Sequence, residues 1–112
     1  HYKLAMALAD NIGEVPAIVL ICSTSPGGRE SVIPATQNLL LAARALGVGG
    51  TITSLHQTVE DDVQELIGLP DGAGVVYCVP LGYPQGNFGP VTRNPLNEIV
   101  SKDRWGTTPD WV

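Results

Sequence analysis

Charge is the first thing this sequence lacks. Only 15% of its 112 residues are Asp, Glu, Lys or Arg, against about 25% in an ordinary globular chain. A chain this short buries only about 60–70% of its unfolded surface and needs charge on the remainder. The shortage points to surface that meets another chain, or another part of the same one. Positive charge is scarcer still: six scattered Lys and Arg against eleven Asp and Glu, net −5. Nucleic acid is thereby excluded as a primary partner, because phosphate binding needs a basic face. No apolar run approaches the roughly 20 residues that span a bilayer, and no basic segment followed by an apolar core opens the chain. A cytoplasmic protein without a membrane partner is the expectation.

Reactive groups are equally sparse. The two cysteines, Cys22 and Cys78, sit inside apolar strand-like runs, where they read as small core residues rather than a disulfide pair. No spaced Cys/His set exists for a metal. His56 has no companion ligand nearby and reads as a surface or partly buried residue. Asp61 and Asp62 read as a charge pair at a helix N-terminus. Ser23, Ser25 and Ser31 lack the G-x-S-x-G context of a hydrolase nucleophile. Gly47-Val48-Gly49 follows a helix rather than a strand and lacks the later glycine of a dinucleotide loop. An initiator methionine is missing too. His1 leads straight into a helical pattern with no Ser, Thr, Asp or Asn before it to cap the free N–H groups. The expectation is a chain that once started earlier.

What is present is a succession of apolar elements. Leu4, Leu8 and Ile12 lie four apart, predicting a helix through Ile12 that Gly13 ends. Pro16–Cys22 is a continuous apolar run of strand length, suited to a strand covered on both faces. Ser23–Glu30, with Pro26-Gly27-Gly28, is a loop. Pro34 is placed for a first helical position and Gly47 for the C-terminal cap. Leu39, Leu40, Leu41, Ala42, Ala43, Ala45 and Leu46 between them encircle most of the helix. A helix apolar nearly all round must be buried nearly all round, and one small chain offers little to surround it. A dimer interface is the economical reading.

The adjacent Gly49 and Gly50 let the chain turn or let another group approach closely, and Thr51–Leu55 reads as a short extended stretch. Thr58 is the expected N-cap of a helix through Ile67, with Val63, Leu66 and Ile67 as its buried face and Gly68 as its stop. Asp71-Gly72 turns the chain into a second strand, Val75–Leu81. A Gly- and Pro-rich loop covers 82–94, and Asn94-Pro95 opens a short helix bearing Leu96, Ile99 and Val100. The tail after Ser101 has no periodicity; Trp105 and Trp111 there suit docking on a surface rather than building a core. Two strands separated by two helices suggest an α/β or α+β layer arrangement.

These pieces together resemble a known family. The segment from Ser31 to Gly49, SVIPATQNLLLAARALGVG, resembles the central helix of FMN-dependent nitroreductase-family flavoproteins. The likeness continues through Thr51–His56, resumes at Val79-Pro80-Leu81-Gly82-Tyr83-Pro84, and ends at Phe88–Pro95. Leu8-Ala9-Asp10 and Glu14-Val15-Pro16 are similar to the family upstream. The resemblance covers nearly the whole chain, in order.

It implies an α+β fold, a nitroreductase-like α/β sandwich present here in part, as the carboxy-terminal portion (residues 1–112) of a single domain. It also implies an intertwined homodimer, through the Pro34–Leu46 helix, with FMN at the subunit interfaces. The implied reaction passes a hydride from NAD(P)H to FMN and on to a small-molecule acceptor such as a nitroaromatic or quinone. The flavin carries such chemistry, so no catalytic side chain is assigned.

Flavin contacts are implied at Ile52, Thr53, Ser54 and Leu55, through backbone N–H groups and the hydroxyls of Thr53 or Ser54. Arg93 matches the family's late phosphate-gripping residue, whose guanidinium donates in parallel to a phosphate. Here Thr92 and Asn94 flank a single Arg, where the family often has more basic residues. The family's Arg-rich amino-terminal segment has no counterpart before His1. The isolated chain is therefore expected to lose most flavin affinity. Two other outcomes remain open: a non-catalytic flavin-sequestering homologue, and an inactive dimerising fragment.

Overall fold

The computed structural model describes residues 2–25 and 28–112, apart from the side chains of Tyr2 and Leu4. His1, Pro26, Gly27 and the inward role expected of Leu4 therefore lie outside the described residues. In chain order the elements are α1 (Tyr2–Asp10), a 3-10 turn (Ile12–Glu14), β1 (Ala17–Ser23), α2 (Arg29–Ala45) and β2 (Gly49–Gly50). A second 3-10 segment (Leu55–Val59), α3 (Glu60–Ile67), β3 (Gly74–Gly82) and α4 (Leu96–Ile99) complete them. The strands form one antiparallel sheet in the order β1-β3-β2. Helices and an antiparallel sheet make the fold α+β, as expected.

The core lies along β3. Val75, Val76, Cys78 and Val79 are all buried, Val79 completely. Consecutive burial means both faces of β3 are covered, which is what a continuous apolar run is for. Its neighbour β1 pairs with it from Ala17↔Leu81 to Ser23↔Gly74, with an irregularity between Ile21 and Cys22. The expectation that the Pro16–Cys22 run is covered on both faces is not met within this chain. β1 is a sheet edge, and its first residues, Ile18 included, are exposed. Cys22 and Cys78 are both free thiols.

Pro80 sits in this central strand, where proline is normally excluded because it cannot donate to a ladder. The register shows why it is tolerated. Thr53 and Cys78 exchange both backbone bonds, at 2.8 and 2.9 Å. Alternate residues on β3 donate to opposite sides, so the missing N–H of Pro80 is lost to the β2 side, opposite Thr51, and the β1 ladder keeps its donors. The loss interrupts β2. Regular pairing is confined to Gly49–Gly50, followed by the single bridge at Thr53, instead of the extended Thr51–Leu55 stretch that the sequence suggests.

Three helix boundaries also differ from expectation. The first helix stops at Asp10, and Ile12–Glu14 tightens into the 3-10 turn. α2 begins at Arg29, so Pro34 lies inside it rather than at its first position. The cost is one lost bond, the one Pro34 would donate to Glu30 O. Val32, Thr36, Leu39, Leu40 and Ala43 form the inward stripe; Thr36 and Ala43 are buried, and the Thr36 hydroxyl donates to Val32 O at 2.7 Å. At the other end Gly47, with φ +74°, turns the chain out of the helix as expected. Thr58 does not cap α3. It lies in the preceding 3-10 segment with its hydroxyl donating to Leu55 O, and Val59 precedes the helix without a side-chain cap bond. Gly68, at φ +63°, ends α3 as expected. Leu66, assigned to the buried face of α3, is 84% exposed.

The molecule is extended for its length. Its Cα radius of gyration is 17.7 Å, against about 13 Å for a self-contained domain of this size. Its accessible surface is 8697 Å², against about 5,900 Å² for a folded monomer of this mass. Leu41 and Leu46 on the outer side of α2 are 57% and 78% exposed, and Trp105 in the tail is 99% exposed. The all-round burial expected of α2 is thus not supplied by this chain. Among the described residues no helix is long and apolar enough to cross a membrane, and no group of three potential metal ligands exists.

Candidate functional site

The site is built where α2 hands the chain to the free edge of the sheet. After Gly47 reverses direction, Gly49 and Gly50 pair with Gly82 and Leu81. Gly50 has no room for a side chain: an added Cβ would lie 2.7 Å from Leu81 Cδ2, 3.1 Å from Leu40 Cδ2 and 3.4 Å from Pro80 O. The glycine lets α2 and β3 close on the edge strand together, which fixes where residues 51–55 run. The close approach anticipated at the glycine pair is thus made by the chain's own leucines.

Ile52, Thr53, Ser54 and Leu55 are brought together on this edge, but their donors are not equivalent. Thr53 turns its N–H inward to Cys78 O, and its hydroxyl accepts the N–H of Leu55 at 3.1 Å. The alternation of an extended chain then directs the N–H groups of Ile52 and Ser54 away from β3. Neither has a hydrogen-bond partner among the described residues. β2 is the last strand of its sheet, so this face is an open edge with two donors, exposed beside two side-chain-free residues. Next to it lies a recess of about 380 Å³ lined by Pro16, Gly49, Thr51, Pro80, Tyr83 and Pro84 among others.

Arg93 is not brought to this edge by any bond among the described residues. It is exposed in the irregular stretch between β3 and α4, with Nη1 donating to the neighbouring Thr92 O at 2.9 Å. That stretch is tied down elsewhere. The guanidinium carbon of Arg44, in the last turn of α2, lies 3.4 Å from the centroid of the Phe88 ring. Sequence reading passes over this pair, because nothing local marks residues 44 apart as neighbours.

His56 corrects a second expectation. Rather than lying at or near the surface it is 6% exposed, with Nε2 3.1 Å from Val75 O. A carbonyl only accepts, so Nε2 carries the proton here and Nδ1 is left without a partner. The ring links the 3-10 segment to the start of β3 and borders an apolar groove of about 490 Å³ that also includes Ile18, Leu20, Val63 and Cys78. Burial raises the Cys78 thiol above its ordinary pKa, so this thiol stays protonated and is no nucleophile. Among the described residues nothing pairs a base with a nucleophile. At the edge itself the arrangement offers two unpartnered backbone donors beside an open recess.

The chain is similar to known proteins in sequence and in fold. Residues 8–83 match the model of the nitroreductase family. The chain is 33% identical over 69 residues to the NADPH-flavin oxidoreductase of Vibrio harveyi, covering 62% of this chain and 29% of that protein. It is 42% identical over 53 residues to a putative NADH dehydrogenase/NAD(P)H nitroreductase of Archaeoglobus fulgidus, covering 46% of this chain and 30% of that one. Among solved structures, a putative NADH dehydrogenase/NAD(P)H nitroreductase from Parabacteroides distasonis superposes with a TM-score of 0.68 at 23% identity, over 79% of this chain and 55% of that chain. NADPH:FMN oxidoreductase from Vibrio harveyi, complexed with NAD+, does so with a TM-score of 0.67 at 22% identity, over 93% and 54%. At such identities the structural likeness establishes the fold. The chain spans under a third of these two curated relatives and about half of the solved ones.

Proposed function

The chain belongs to the nitroreductase family, and from that premise we propose that it serves FMN-dependent transfer of reducing equivalents from NAD(P)H to a small-molecule acceptor of the nitroaromatic or quinone type. One observation carries the reading: the outward N–H groups of Ile52 and Ser54 on an open sheet edge, beside glycines that leave the approach clear. FMN, when bound, supplies the two-electron hydride chemistry that no side chain here can. The residues present fit such a group. Ile52 and Ser54 donate toward the ring edge, where donors favour the negative charge that accumulates on reduction. The Ser54 hydroxyl and the proton of the Thr53 hydroxyl add two further donors. Thr53 and Leu55 otherwise act as supports, their N–H groups holding the segment to β3 and to itself. Arg93 supplies the fork for the phosphate.

The same reading includes a homodimer through α2, over the stretch Pro34–Leu46. The exposed Ile33, Leu41 and Leu46 and the surface excess of about 2,800 Å² over a self-contained monomer support it. Covering part of that excess would also exclude water from the flavin edge. Two relatives named for NADPH or NAD(P)H support a nicotinamide donor.

The test is a visible spectrum of the protein after addition of FMN and desalting, followed by anaerobic NADH or NADPH and then a quinone. Retained flavin that bleaches and returns supports the reading. Retained flavin that never bleaches supports sequestration without turnover, the outcome favoured by the single Arg in the 91–95 stretch. Protein that never binds FMN, even at millimolar concentration, contradicts both.

A further inference from the structure

We infer that Arg44 and Phe88 form a latch that holds the 83–95 loop against the end of α2, and that both are thereby positioning residues for Arg93. The inference rests on the reading of Arg93 as the phosphate contact.

The loop between β3 and α4 has little else to define its course. Among the described residues no backbone–backbone hydrogen bond involves residues 83–94, and all of them are exposed. Twelve residues without such bonds can reach about 40 Å when extended, so an untethered Arg93 would be spread over a large volume. The Arg44–Phe88 contact divides this loop near its middle. The cation sits directly over the ring face, at 3.4 Å from the centroid, where the ring's quadrupole attracts it.

Both partners are themselves well placed. Arg44 is in the last turn of α2, where the helix dipole favours a cation. Phe88 lies beside Gly49: a Cβ built on that glycine would be 3.9 Å from Phe88 Cε1 and 3.8 Å from Pro84 Cδ. The latch therefore lands the loop on β2, at the start of the segment that bears the Ile52 and Ser54 donors. Arg93 is five residues beyond Phe88, so a held Phe88 keeps it within about 17 Å of chain from β2. Loss of the latch would leave Arg93 chemically intact but spread over more positions, which weakens a phosphate contact without touching the ring contacts.

The test uses Phe88→Ala, Arg44→Ala, their double variant, and the rescue variants Phe88→Trp and Arg44→Lys. Phe88 is the sole phenylalanine of the chain, so upfield ring-current shifts of the Arg44 side-chain protons report the contact directly. The Arg93–Asn94 bond is a tryptic site, and its cleavage reports opening of the loop. Each alanine variant is expected to cleave there about two- to five-fold faster, the range for an exposed cation–π contact. The double variant should be no faster than either single one, and Phe88→Trp should restore the parental rate, with Arg44→Lys in between.

The functional readout is the preference for FMN over riboflavin, which isolates the phosphate. Phe88→Ala should lower that preference about two- to five-fold and leave riboflavin affinity unchanged, with no further effect when Arg93→Ala is already present. Absence of the ring-current shift, additive effects in the double variant, or equal loss of FMN and riboflavin would each overturn the inference. Faster cleavage together with an Arg93→Ala variant of unaltered FMN preference would overturn the phosphate role of Arg93, and the positioning role with it, while showing the latch itself to exist.

Discussion

Replacing Gly50 with alanine probes the junction on which the site depends. The new methyl would lie 2.7 Å from Leu81 Cδ2 and 3.1 Å from Leu40 Cδ2, with Pro80 O at 3.4 Å behind them. The backbone at Gly50 is not in the left-handed region, so the effect is one of space alone. The two closest atoms are ends of leucine side chains, which can rotate away, but both leucines are half-buried between α2 and the sheet. Moving them forces poorer rotamers or lifts the helix, a cost of about 1–3 kcal/mol for overpacking a well-filled site. At about 4 °C per kcal/mol for a domain of this size, the melting temperature should fall by about 4–12 °C. Thermal unfolding by circular dichroism measures it, with Gly13→Ala as the control, since nothing lies within 4 Å of a Cβ there. A Gly50→Ala protein that melts with the parent would refute the claim that α2 and β3 close on this residue.

Other expectations follow from single residues. Gly68 at φ +63° has nothing within 4 Å of an added Cβ, so Gly68→Ala should cost about 1–2 kcal/mol from backbone conformation alone, with Gly68→Asn losing less in the same melt. Cys78 is buried and its thiol is pushed up in pKa by that burial, so iodoacetamide should modify Cys22 first in the folded protein. Because the unfolded thiol ionises at lower pH than the folded one, stability from this group is constant at neutral pH and falls as pH rises past about 8.5; denaturant midpoints of the parent and Cys78→Ala should converge there. Leu41 is 57% exposed on the outer side of α2; on the proposed α2 dimer, Leu41→Glu should leave the circular dichroism spectrum unchanged yet reduce the dimer fraction about tenfold in sedimentation equilibrium, and a wholly monomeric parent would refute that dimer.

The elements read well from sequence are those whose apolar pattern is continuous and whose ends are marked by turn chemistry. β1 and β3 appear within a residue or two of the runs beginning at Pro16 and Val75, and Gly47 and Gly68 end their helices with the positive φ that favours glycine. The boundaries that moved did so because a partner distant in sequence decided them. α2 extends back to Arg29 through Pro34, since Val32 and Thr36 continue its inward stripe and outweigh one lost bond. Thr58 belongs to a 3-10 segment whose His56 is anchored to Val75, 19 residues away. β2 is cut short by Pro80 on the neighbouring strand.

At the candidate site, nothing in the residues of the Ile52–Leu55 stretch marks which of their donors face outward. That depends on the Thr53–Cys78 bridge, a fact of register. The Arg44–Phe88 contact left no trace in either local pattern. Residue chemistry names candidates here, and the sheet geometry sorts them.

The most direct measurement is an FMN titration followed in the amide proton–nitrogen spectrum of the labelled protein. The account predicts that the amides of Ile52 and Ser54 shift most, with Arg93 responding to FMN and not to riboflavin, while Thr53 stays bonded to Cys78 and moves little. Shifts concentrated in the groove beside His56, or none at millimolar FMN, would contradict it.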